Sequence, residues 1–171
     1  MGKIADTLEQ LTLGARVRQN HALEHATIAL MESSQGRASY RGRATVNGFY
    51  VYGEADPADL QKHAESALDR LRGDEPGLAI HPRCGTNLAV AGLLTGVCSA
   101  LAGEIRPKRN RYPRAILASL GALFFAPSLG LYVQRHYTTL TPRPTLRILG
   151  IEPGATLMGN PLFFVRTAHE G

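Results

Sequence analysis

The feature that most constrains this chain is a pair of charge-free stretches, residues 86–103 and 115–134, lying between charged outer segments. Each is about as long as a helix must be to cross a hydrocarbon layer roughly 30 Å thick at about 1.5 Å per residue. Averaged over the whole chain, hydropathy hides this division. With 171 residues there is room for one core, and a second independent core would be hard to fit, so the chain is expected to form a single unit over residues 1–171. Its expected parts are a motif-bearing segment (1–85), an apolar helical hairpin (86–134) and a C-terminal strand segment (135–171). The bland alternative, a buried helix pair in a soluble helical protein, requires two long charge-free helices inside a small core.

The net charge of +5 invites a nucleic-acid reading, but its distribution argues against one. Residues 1–85 are nearly balanced. The 104–114 link concentrates Arg106, Lys108, Arg109, Arg111 and Arg114, which suits lipid headgroups better than a DNA groove. The expected partner is therefore a lipid bilayer, not nucleic acid. Only two cysteines occur, and Cys98 lies inside an apolar stretch, so no disulfide framework is expected. Asp6, Glu9, Arg16 and Arg18 interrupt the early leucines, so the first twenty residues hold no signal-peptide core.

Around these stretches the expected class is α+β. Val17, His21, Glu24, His25 and Ile28 recur at helical spacings, predicting a helix over 17–32. Asn47-Gly48 favours a two-residue hairpin turn between strands at 43–46 and 49–52. Asp56-Pro57-Ala58-Asp59 reads as a capped helix start, followed by the apolar stripe Leu60, Ala64, Leu68 and Leu71 and ended by Gly73. A short strand is expected at 78–80. In the apolar pair, Gly92, Gly96 and Ala100 repeat every fourth residue, as do Ala118, Ala122, Ala126 and Gly130, and such rows let helices approach closely in lipid. Pro127 is expected to bend the second helix. Two strands, 146–151 and 162–165, should follow, separated by turn residues Pro153, Gly154, Gly159, Asn160 and Pro161.

The chemistry is carried by two clusters. His21, Glu24 and His25 spell H-x-x-E-H, which on a helix brings two imidazoles to one side with a carboxylate beside them. That is the inverted zincin arrangement, in which histidines hold zinc and the acid takes a proton from water. His81 and Cys84 form H-x-x-C at the amino end of the first apolar helix, where a thiolate is favoured. Together the clusters offer His21, His25, His81 and Cys84 as zinc ligands, with Glu24 as the catalytic base. Of the other histidines, His63 reads as solvated, His136 as an interfacial anchor and His169 as a disordered end residue. Thr86 and Asn87 read as caps.

The run from His21 to Ile28, taken with His81-Pro82-Arg83-Cys84-Gly85-Thr86-Asn87, resembles a family of uncharacterised bacterial membrane proteins classed as a domain of unknown function. More distantly it resembles the YqhQ-like membrane proteins, which carry similar signatures before apolar helices. The likeness covers roughly residues 15–150 and implies a bacterial membrane location and a metal site, without a substrate. Unlike true inverted zincins, this chain shows no further carboxylate ligand on a later helix, so the third ligand falls to His81 or Cys84.

Three functions follow as expectations. The first is a zinc-dependent, peptidase-like hydrolase meeting a membrane polypeptide or lipid-linked group at the interface. The second is a non-enzymatic binding or assembly module with a closed four-ligand zinc site. The third dispenses with metal and makes Cys84 a nucleophile with a histidine base. The basic link should face the cytoplasm by the positive-inside rule. For a spanning hairpin this conflicts with a cytoplasmic N-terminal part, which is the assignment expected here for lack of an export signal.

Overall fold

The computed structural model describes residues 2–36, 40–105, 107–154, 156 and 161–169. Arg106, Gly159 and Asn160, named above, lie outside them. The chain divides into two compact units, Met1–His81 with Tyr137–Gly171, and Pro82–His136.

The first unit is built on a long helix, α1 (Gly2–Gln35), which extends well beyond the 17–32 expected. From Gln19 to Ile28 every side chain except the part-buried His21 is buried, although Gln19, Asn20, Glu24, His25 and Thr27 are polar. Such burial requires partners, because an unpaired polar group costs about 1–3 kcal/mol. Asn20 finds them on three sides. Its Nδ2 donates to Thr45 O at 2.8 Å and Val46 O at 3.1 Å, and its Oδ1 accepts from Thr167 Oγ1 at 2.9 Å. Gln19 Oε1 accepts from the Arg143 amide at 2.8 Å, and Leu140 N donates to Arg18 O at 3.1 Å. Thr27 donates back to Leu23 O.

Against α1 stands a four-stranded antiparallel sheet: β1 (Arg41–Thr45), β2 (Gly48–Tyr52), β3 (Leu146–Pro153) and β4 (Leu162–His169), in the order β1-β2-β4-β3. The C-terminal strands thus pair with the N-terminal hairpin. Phe49, Val51, Leu146, Phe163 and Val165 join Leu23, Ala26 and Met31 in the core. The hairpin turn falls one residue earlier than its dipeptide suggested, at Val46 and Asn47, with Thr45 paired to Gly48. Gly48 is instead required inside β2: its φ is +146°, and a Cβ there would lie 2.0 Å from Val165 O. β4 runs through His169, past the expected end at 165, because β3 supplies pairing partners as far as Leu146. Instead of trailing off, His169 closes the sheet. Burial, then the nearby charge of Arg16, pushes its pKa down. A register shift at Ile148/Gly150 leaves Leu149 exposed.

Helix α2 (Pro57–Arg72) begins as its sequence suggests, with Asp56 Oδ1 accepting from Ala58 N and Asp59 N at 2.9 and 3.0 Å. Leu60, Ala64, Ala67, Leu68 and Leu71 are its buried face. The strand expected at 78–80 is a 3₁₀ turn, Pro76–Ala79, closed by Leu78 N to Glu75 O and Ile80 N to Gly77 O. Among the described residues no strand pairs with it to supply a ladder, so local bonds win.

The second unit is a hairpin of α3 (Gly85–Glu104) and α4 (Arg111–Val133), the latter running through Pro127 and ending in a π-helical segment, Gln134–Thr138. The row Ala122, Ala126 and Gly130 is buried at the hairpin contact. The row Gly92, Gly96 and Ala100 is not: all three are exposed, and a Cβ on Gly92 or Gly96 would meet nothing within 4 Å. Asn87 decides this. It lies so close over Gly130 that a Cβ there would be 2.4 Å from its Oδ1, and that oxygen accepts from Gln134 Nε2 at 2.6 Å. Helical spacing then turns Ala91, Thr95, Cys98 and Ala102 inward with Asn87 and the glycine row outward. Large apolar side chains cover the outside, among them Leu88, Leu93, Leu101, Leu117, Phe124 and Phe125. The helices are long and apolar enough to cross a membrane.

Replacing Gly48 by alanine should cost roughly 2–5 kcal/mol, from a disfavoured φ and a clash with backbone that cannot rotate aside. Thermal unfolding in detergent checks this, and an unchanged midpoint would mean that β2 and β4 are not so closely apposed.

Candidate metal centre

His21 and His25 lie one helical turn apart on α1, with ring centroids 4.3 Å from each other. Each ring is fixed from behind. His21 Nδ1 donates to Thr138 O at 2.9 Å, and His25 Nδ1 donates to Ala79 O at 2.7 Å. A carbonyl only accepts, so each Nδ1 carries the proton, and in the neutral ring the lone pair belongs to Nε2. Metal-binding histidines are commonly oriented this way, by a backbone carbonyl on the nitrogen that does not bind the ion. Both carbonyls come from helix ends, whose last carbonyls have no partner within the helix: Ala79 ends the 3₁₀ turn, and Thr138 ends the π-helical segment.

His81 follows that turn. Its ring centroid is 5.7 Å from that of His25, and its Nε2 lies 3.7 Å from Glu32 Oε2, both side chains being largely buried. Cys84, three residues on, is buried and is the N-cap of α3, its Sγ accepting from Thr86 N at 3.4 Å. Three residues of chain span at most about 11 Å, so the H-x-x-C spacing keeps Cys84 within reach of His81 by covalent tether alone.

Among the described residues of the first unit, His21 and His25 form a group of potential ligands that could help to hold a metal ion, and Cys84 belongs to the second unit. Donors around a tetrahedral zinc with about 2.0–2.3 Å bonds stand roughly 3.5 Å apart, a distance that small side-chain rotations would reach. Two imidazoles and a thiol suit zinc or a similar borderline metal, though the donor set does not select one. His81 is outside this group. Glu24 is buried beside His25 in sequence, its carboxylate lying over Gly42 of β1.

The remaining histidines stand elsewhere. His63 is part-buried on α2, its Nδ1 2.8 Å from Asp59 O, so it is less solvated than expected. His136 is exposed and stacks on Tyr132 at 4.1 Å, bonding its backbone carbonyl. Thr86 takes part in capping through its amide, while Asn87 donates to Pro82 O and pairs with Gln134. Sequence reasoning missed the groups that orient the rings, the carbonyls of Ala79 and Thr138. A backbone carbonyl carries no residue-type signal, so nothing in the sequence marked them. Gln19 and Asn20 did leave one: amides directly before a histidine motif on a helix otherwise rich in core residues.

An α+β unit carrying a histidine pair, joined to an apolar helical hairpin, defines the class of this protein. The chain belongs to the family described as Domain of unknown function (DUF6391), whose model matches residues 16–151. That span contains both H-x-x-E-H and H-P-R-C-G-T-N and both hairpin helices. An uncharacterized protein of Picosynechococcus sp. (strain ATCC 27264 / PCC 7002 / PR-6) is 39% identical over 164 residues, covering 88% of this chain and 78% of that protein. No solved structure matches.

Zinc added to metal-free protein should bind at one ion per chain. Either His21→Ala or His25→Ala should weaken binding at least a hundredfold, since each removes a ligand and uncovers a buried carbonyl. Elemental analysis and competition with a chromogenic chelator measure this. Full retention of zinc by either variant would remove the pair from the site.

Proposed function

We propose that the protein is a zinc-dependent hydrolase acting at a membrane surface. One observation carries this reading: His21 and His25 stand side by side with each Nδ1 bonded to a backbone carbonyl, which leaves both Nε2 atoms for a metal. Catalytic zinc sites use three protein ligands and keep a position open, whereas structural sites are closed by four. Bound zinc would supply a Lewis acid. His21 and His25 would hold it through Nε2, with Thr138 O and Ala79 O keeping their rings in place, and Cys84 would be the third donor. Glu24, one residue before His25, takes the proton of the attacking water and returns it to the leaving group.

The membrane part of the proposal rests on the hairpin. Its outward side chains include Leu88, Leu93 and Phe124, each more than 70% exposed, and a soluble surface rarely carries a contiguous apolar patch of such extent. Lipid would cover it. The motif His81-Pro82-Arg83-Cys84 immediately precedes α3, so a substrate would be met near the lipid boundary: a membrane polypeptide or lipid-linked group at the bacterial plasma membrane. The cytoplasmic assignment of the first unit is part of this proposal.

A second reading has one observation of its own. The ring of His81 is near enough to His25 for a closed His21, His25, His81 and Cys84 site, which would make the protein a binding or assembly module. X-ray absorption on zinc-loaded protein in lipid nanodiscs should show one sulfur and two imidazoles with an additional light oxygen donor. Three imidazoles and one sulfur would establish the closed site and sink the hydrolase.

Glu24→Gln should keep full zinc occupancy and lose at least a hundredfold in turnover, scored as peptide products released from reconstituted membrane polypeptides and stopped by a chelator in the wild type. Loss of zinc in this variant would make Glu24 a ligand instead, and undiminished turnover would remove it from the chemistry.

A further inference from the structure

Gly42 lies in the middle of β1, paired with Val51, and its φ is not in the left-handed region, so its backbone does not require glycine. Glycine weakens a strand interior, and where one persists there a close approach is a common reason. Here the approaching group is Glu24. A Cβ on Gly42 would lie 2.3 Å from Glu24 Oε1 and 2.6 Å from both its Cδ and Cγ. The end of the glutamate therefore occupies the volume a side chain at Gly42 would fill. Its neighbour along β1 on the side of the core is Ala44, so the strand offers α1 only small groups.

We propose that Gly42 is a positioning residue for Glu24, the missing side chain providing the seat that holds the carboxylate in one orientation. This rests on the reading of Glu24 as the proton acceptor at a metal site. What collides with the added methyl is the Glu24 side chain from Cγ outward, not backbone, so Gly42→Ala displaces the carboxylate by side-chain rotation and leaves the fold intact. Alanine also removes some of glycine's freedom in the unfolded chain, which offsets part of any cost. The effect thus falls on where Glu24 points. A residue that was glycine for packing alone would lose stability instead.

The test uses the full chain in nanodiscs loaded with cobalt(II), whose visible bands report the ligand sphere, titrated with acetohydroxamate. This probe chelates a metal through its oxygens and donates a hydrogen bond to an adjacent carboxylate. A hydrogen bond to a charged group contributes about 1.5–3 kcal/mol, so its loss weakens binding about tenfold or more. Gly42→Ala should retain one cobalt per chain and the wild-type unfolding midpoint, yet bind the hydroxamate at least tenfold more weakly, as Glu24→Gln does. Adding Glu24→Asp, one methylene shorter, to Gly42→Ala should recover part of the loss. Wild-type affinity in Gly42→Ala alongside weakened binding in Glu24→Gln would overturn the positioning role, and so would unfolding of Gly42→Ala that Glu24→Asp does not relieve. If Glu24→Gln itself binds hydroxamate as tightly as wild type, the reading of Glu24 as proton acceptor has failed, and the positioning role falls with it.

Discussion

Two hydrogen bonds to backbone carbonyls, from His21 to Thr138 and from His25 to Ala79, are the constraint on which the candidate site depends. Helical spacing puts both rings on one side of α1 but leaves them free to rotate and to exchange tautomers. The carbonyls remove both freedoms. They also tie the middle of α1 to residues 54 and 117 positions away, so the orientation of the rings and the closure of the first unit are one event. A buried carbonyl deprived of its donor costs about 1–3 kcal/mol, which is why the rings are held firmly rather than merely allowed to sit there.

The same economy of polar groups runs along the rest of α1. A helix buried on nearly all sides is ordinarily apolar all round. This one carries Gln19, Asn20, Glu24, His25 and Thr27 in its buried stretch, and the partners of Asn20 and Gln19 lie at the end of β1 and in the turn after it, in β4 and in the segment leading to β3. Such bonds add little net stability each, but they penalise every misregistered packing of α1 on the sheet. A site placed on an element fixed in this way has the rigidity that metal and acid–base chemistry require.

The hairpin follows different rules. Its close contact comes from small residues on α4, and its register comes from one polar pair, Asn87 with Gln134, set over Gly130. Association between apolar faces supplies no register by itself. The outward face keeps its leucines and phenylalanines uncovered.

Much of this was legible in the residues. Run length marked the two apolar helices, Asp56-Pro57 marked the start of α2, and the H-x-x-E-H period marked a histidine pair, because each is a property of neighbours within one or two turns of chain. The strand at 78–80 was misread because its pattern is also that of a short turn, and the hairpin turn was misplaced by one residue because Gly48 answers to Val165, not to its neighbours. The row at Gly92 was assigned to the helix contact because spacing alone cannot say which face a partner covers. Sequence by itself determined the elements and the chemistry they offer. Only the tertiary structure decided that β4 pairs with β2, that Thr138 and Ala79 orient the histidines and that Gly42 makes room for Glu24, since those choices depend on contacts between residues far apart in the chain, and backbone carbonyls and empty volume leave no letter in a sequence.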